Sequence, residues 1–172
     1  MSQNLKENAS LVIKNCLPFV VSVLVLLISF LPYNFFILKG VHVAVGISCV
    51  YFWLQHRPDL FNLWSAFGIG IIEDLISASP LGSNVFEVLL MYLLVNSTSR
   101  LFNAKPFIVL WYGFMALSLI TLFSRWLIVS IYYSHFLPLS VLFFSYLVTI
   151  VLYPLLSLLM AAVQNKLIKE DF

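Results

Sequence analysis

The sequence predicts an all-α, polytopic integral membrane protein, and three observations lead there. Apolar residues make up 62% of the chain and charged residues only 9%, against ~25% charged in soluble domains. The mean hydropathy is +1.04, more apolar surface than a soluble domain of this size can bury. The apolar residues fall in six runs separated by short polar connections. A single transmembrane domain over residues 1–172, built as a six-helix bundle, is the expected architecture.

The start MSQNLKENASLVIKN mixes Lys6 with Glu7, and no small-residue cleavage site closes the apolar stretch after it. It reads as a short cytoplasmic tail before an uncleaved span rather than a signal peptide. The predicted spans are Leu17–Leu31, Gly40–Leu54, Leu63–Ser79, Val85–Thr98, Phe107–Tyr132 and Leu139–Gln164. Pro154 is expected to kink the sixth, because it removes a backbone donor and clashes one turn back. Trp53, Trp64, Tyr92, Trp111, Tyr132 and Tyr133 mostly lie near span ends, where an aromatic belt forms.

Cations set the orientation. With the N-terminus in the cytoplasm, Lys6, Lys14, Arg57, Arg100, Lys105, Lys166 and Lys169 all fall on the cytoplasmic side, Lys39 falls outside and Arg125 lies within the fifth span. The positive-inside rule then predicts both termini in the cytoplasm. The formal charge of +2 includes no basic run, so nucleic acid is not an expected partner. Membrane lipid is.

The third run, LWSAFGIGIIEDLISAS, is the most informative. Asp74 lies ~16 Å beyond Leu63 along a helix, close to the middle of a ~30 Å hydrocarbon core. A carboxyl group at that depth needs partners. Ala66, Gly70, Glu73, Asp74 and Ser77 share one small and polar face, which predicts a central helix with its acids turned inward. Ala66 and Gly70 would allow close approach of another helix, and Ala44/Ser48 and Ser157/Ala161 offer similar small faces. Ile69, Ile72 and Ile76 mark an apolar side.

Depth also suggests who pairs with whom. Glu87 sits about one turn into the fourth span, and Arg125 lies ~26 Å along the fifth, which brings both near the outer face. Glu87–Arg125 is therefore the first-choice ion pair, with Glu73 or Asp74 as the second choice. Such a network of Glu73, Glu87 and Arg125 is structural, part of an ion or substrate path, or a partner-contact site. Adjacent acids on a helix point ~100° apart, so Glu73 and Asp74 are poor joint metal ligands. His42, His56 and His135 are scattered singly, and Cys16 and Cys49 have no metal or disulfide spacing. No Ser-His-Asp, HExxH, GxSxG or Walker pattern appears. No catalytic residue, metal or cofactor is expected.

Two turns complete the reading. In HRPDLFN, Pro58 breaks the second helix and Asp59 serves as an N-cap or turn residue. In SPLGSN, Pro80, Gly82 and Asn84 make a tight outer turn followed by an N-cap.

The order YFW, HRPDL, GIGIIEDL, PLGSN, then an apolar span ending at Arg100 resembles the MreD family of bacterial rod shape-determining membrane proteins. The close resemblance covers roughly Tyr51 to Arg100, and its family-type positions here are Pro58, Asp74, Pro80 and Gly82. It implies a non-catalytic component of the inner-membrane elongation machinery (the rod complex) that builds lateral peptidoglycan of the cell wall. The implied partners are the bitopic MreC, through its transmembrane and juxtamembrane region, the filament protein MreB, and RodA with its partner transpeptidase. The family bundle is similar to the substrate-binding subunits of energy-coupling-factor transporters. A vitamin-type binding subunit, with Glu87 and Arg125 as ligands for a zwitterion, is the alternative.

Overall fold

A computed structural model describes residues 2–30, 43–77, 79–102 and 106–168. Among them there are six helices and no strand: α1 Ser2–Phe30, α2 Val45–His56, α3 Leu63–Ser77, α4 Ser83–Phe102, α5 Phe107–Tyr132 and α6 Leu139–Ile168. Lys39, His42, Lys105 and Lys169 lie outside the described residues, as do the side chains of Lys6, Lys14 and Arg100.

The fifth helix has the expected bounds, and the others differ in instructive ways. The first helix begins at Ser2, well before Leu17, because Leu5, Lys6, Glu7 and Ala9 are good helix formers even where they are polar. The second starts at Val45, after a non-helical Val43 and Ala44, and residues 40–42 of the expected span lie outside the described residues. Just ahead of it, the Ala44 amide donates to Thr149 Oγ1 of α6 at 3.3 Å, outside any helical ladder. The fourth runs past its apolar limits at both ends, to Ser83 and Phe102. The sixth runs on to Ile168 and contains Pro154. Two helices, Phe107–Tyr132 and Leu139–Lys166, are long and apolar enough to cross a membrane.

The centre of the bundle is α2, not α3. Val45 through Leu54 are all buried, and α2 packs against α1, α3, α4 and α6. A helix that is apolar all round belongs inside. The third helix instead exposes a stripe, Leu63, Trp64, Phe67, Ile71 and Leu75, and buries Ala66, Ile69, Gly70, Glu73 and Asp74. Its acids do turn inward. Ile69, on the apolar side, is fully buried and packs inside the bundle.

Small residues are used within the chain. A methyl built on Gly70 would lie 2.6 Å from Val85 Cα, so α3 and α4 meet backbone to backbone there. Gly68 receives the Phe19 ring of α1. Ala44 and Ser48 are buried as well. Ala66 and Gly70 thus pack this chain's own helices and leave no open small-residue face on α3 for another protein. An aromatic cluster joins α2, α5 and α6: Phe114 stacks on Tyr153 at 4.1 Å and Tyr51 meets both rings edge-on. Its hydroxyl donates to Leu110 O at 2.7 Å.

The α2–α3 turn decides between the two readings of Asp59 in favour of the turn residue. The N-cap of α3 is Asn62, whose Oδ1 accepts from the Ser65 amide at 2.9 Å and the Ser65 hydroxyl at 3.0 Å. Asp59 stays within the turn and pairs with Arg57, with two contacts at 3.2 Å. An arginine two residues away offers a fork that a carboxylate fits, so the backbone cap falls to Asn62. Pro58 is exposed beside them.

The Arg57 hydrogen bond holds the Asp59 carboxyl below the usual aspartate range. A depressed folded value contributes stability above the unfolded pKa and loses it as pH falls through the folded one. We expect Arg57→Gln to raise the Asp59 titration midpoint, read by carbon NMR of the carboxyl. An unchanged midpoint would remove the pair.

Candidate functional site

The acids of α3 meet the ends of other helices. Asp74 Oδ2 accepts the Gly82 amide at 2.7 Å and the Val85 amide at 3.4 Å. Its Oδ1 accepts the Asn84 amide at 2.9 Å and the Ser83 hydroxyl at 3.4 Å. Asp74 therefore caps α4 from the neighbouring helix. The first amides of a helix lack internal partners and carry a partial positive charge, so a carboxylate is well placed there. The turn that makes this possible closes by a Ser83 amide to Pro80 carbonyl bond of 3.0 Å. Gly82 sits in it at φ +96°, a conformation that glycine adopts without steric cost.

Glu73 points the other way. Its Oε1 accepts the Gly46 amide, in the first turn of α2, at 3.2 Å. Residues ~100° apart on a helix cannot share one partner, and here each acid finds its own helix N-terminus. Gly46 lets the carboxylate come this close, since a methyl there would overlap the Glu73 carboxylate and lie 3.0 Å from Val88 Cγ2. We expect Gly46→Ala to turn Glu73 away and to cost about 1–2 kcal/mol, the cost of leaving the buried residue-46 amide without its acceptor. The unfolding midpoint in detergent would measure it. The same change on a Glu73→Ala background should cost much less, and equal costs in both would mean that the two residues do not interact.

The third part of the corner is held by Arg125 of α5. Its Nε donates to Asn84 Oδ1 at 2.7 Å and lies 3.4 Å from Glu87 Oε2. Its Nη2 donates to Ser79 Oγ at 3.2 Å. The Asn84 side-chain amide donates in turn to Ser77 Oγ at 2.8 Å and Ser79 Oγ at 3.3 Å. Glu73, Asp74, Glu87 and Asn84 are all buried. Arg125 thus reaches Glu87, while Glu73 and Asp74 accept from backbone amides and, at Asp74, from the Ser83 hydroxyl.

The corner collects Glu73, Asp74, Pro80, Gly82, Glu87 and Arg125. Ala66 and Gly70 lie below it on the buried face of α3, and Pro58 lies at the opposite end of that helix. Sequence reasoning missed Asn84 as the hub, because it read that residue as part of the tight outer turn. It also missed Gly46, whose only signal was a glycine in an otherwise branched apolar run. Among the described residues, no group of three or more His, Cys, Asp and Glu side chains could hold a metal ion.

A family model described as rod shape-determining protein MreD matches residues 11–163. No curated protein and no solved structure matches the chain. The matched region takes in all of α2 to α5, with the capped acids of α3, the Pro80–Gly82 turn and the Arg125 clamp. The chain belongs to the MreD family of rod shape-determining membrane proteins.

Proposed function

We propose that the protein is a non-enzymatic scaffold of the bacterial rod complex, embedded in the inner membrane with six spans and both termini in the cytoplasm. In this role it couples MreC and the MreB filament to lateral peptidoglycan synthesis by RodA and its partner transpeptidase. One observation carries the reading beyond family membership. The intramembrane acids that could have served a ligand or an ion path are used by the protein's own helix ends and by Arg125. A closed polar network of this kind fixes a shape.

The orientation draws support from charge placement. Arg57, in the α2–α3 turn, and Lys166, at the end of α6, lie at the end of the bundle opposite the acidic corner, as cytoplasmic cations do. Connections this short leave the outward faces of the helices for partners. Exposed apolar stripes such as Trp64, Phe67, Ile71 and Leu75 of α3 suit a transmembrane helix such as that of MreC.

The test is a mild-detergent pull-down of the tagged protein from its native membrane with identification of what co-purifies. Recovery of MreC with elongation proteins is expected. Recovery of an ATPase pair with a membrane coupling subunit instead would place the protein among vitamin-type transporters.

A further inference from the structure

The two hairpin ends at the acidic corner stand at different heights. Helices α4 and α5 pack side by side, and Asn84, at the start of α4, lies beside Arg125. Beyond Arg125, α5 continues to Tyr132, roughly two turns or about 10 Å, whereas beyond Asn84 α4 continues only to Ser83 before the short turn 79–82. The α5–α6 connection therefore overtops the α3–α4 turn. The α3–α4 turn exposes Leu81 and Gly82, and irregular backbone exposed to lipid is not tolerated inside the hydrocarbon. That turn marks the hydrocarbon boundary, so the overhang stands beyond it.

The overhang is apolar and aromatic where water would be expected. Ile131 is 74% exposed and Phe136 80%, with Tyr132, Tyr133 and Leu139 exposed between and beside them. No Asp, Glu, Lys or Arg occurs between Arg125 and Lys166. The shape is fixed internally. Trp126 stacks between Phe123 and Phe136 at 5.8 and 6.0 Å. The Leu137 amide donates to Ser130 Oγ at 3.3 Å, and Ser134 holds φ 55°. Phe136 is thus held outward by design of the loop.

We infer that this knuckle, residues 131–139, is a lipid anchor seated in the headgroup layer of the membrane. That layer is roughly 5–8 Å deep on each side, which matches the overhang within its tilt. Rigid rings carrying hydroxyl or imidazole tips, here Tyr132, Tyr133 and His135, are the side chains that favour this layer. The knuckle is also continuous with α5 and α6, the two helices with full spanning length. Anchored there, it sets the depth of the whole acidic corner. The inference rests on the multi-span reading, and the experiment separates the two.

The full-length protein would be reconstituted alone in phosphatidylcholine–phosphatidylglycerol vesicles. Cys16→Ser would be combined with one nitroxide-labelled cysteine at Phe136, Ile131, Leu119 or Asp59; Cys49 is fully buried. Collision with oxygen and with a water-soluble nickel chelate reports depth. The expected oxygen-to-nickel ratio is highest at 119, lowest at 59, and several-fold above the value at 59 for both 131 and 136. Ratios at 131 and 136 equal to that at 59, with 119 still deep, would overturn the anchor and leave the knuckle a water-side surface for a protein partner. A water-like ratio at 119 would overturn the spanning reading and the anchor with it. Both label sites are highly exposed, so loss of folding is not expected at either.

Discussion

Replacing Asp74 with alanine is expected to destabilise the bundle by about 3–5 kcal/mol, since it strips a charged acceptor from several buried donors at once. The Gly82, Asn84 and Val85 amides and the Ser83 hydroxyl all point at this one carboxylate. Asn84 and Ser83 are buried, so water cannot replace the lost acceptor freely. Asp74→Asn keeps one oxygen but turns an NH2 group towards amide donors, and an intermediate loss is expected. Thermal unfolding in detergent reads the stability. Restoration of rod shape in cells lacking the native copy reads the function. A midpoint unchanged by Asp74→Ala would show that the first turn of α4 does not depend on its neighbour.

Gly70→Ala is expected to cost about 2–3 kcal/mol, at the upper end of overpacking effects. The added methyl would sit 2.6 Å from Val85 Cα and 3.2 Å from Val85 N. Backbone cannot rotate aside as a side chain can, so α3 and α4 must separate. Val85 is also one of the residues gripped by Asp74, and moving it loosens the cap. The two substitutions should therefore be less than additive, as residues sharing a partner usually are. Gly82→Ala is the control: its methyl would meet nothing within 4 Å, leaving only the strain of a positive φ, about 1 kcal/mol. If Gly70→Ala proved as mild as Gly82→Ala, the close approach of α3 and α4 would be wrong.

The contrast between these residues shows what the sequence could tell. Hydropathy runs defined α5 to the residue, because its apolar stretch and its helix end together at Tyr132. They misjudged α1, where helix continues through polar residues that hydropathy ignores. They also made α3 central because its buried acids drew attention, whereas the helix without any polar face, α2, is the one enclosed. Depth arithmetic put Glu87 and Arg125 at one level, and the structure sets them 3.4 Å apart. The partners of Glu73 and Asp74 were not legible. The visible signals were cations at matching depth, while the true donors are backbone amides at the starts of other helices. Main-chain groups carry no sequence signature, and only the glycines at 46 and 70 hint at a close approach.

The spacing of the corner's bonds along the chain bears on the order in which the protein can be built. Asp74 and Gly82 are eight residues apart, so the α3–α4 hairpin can close its polar groups as soon as it leaves the ribosome and enters the bilayer. Glu73 looks back 27 residues to Gly46, already made. Arg125 must wait, arriving 41 residues after Asn84, and Thr149 reaches Ala44 across 105. Local pairings form first and distant ones follow. On the proposed six-span topology, biogenesis should then pass through a four-helix intermediate whose α3 acids are already shielded, with α5 and α6 added as a closing hairpin.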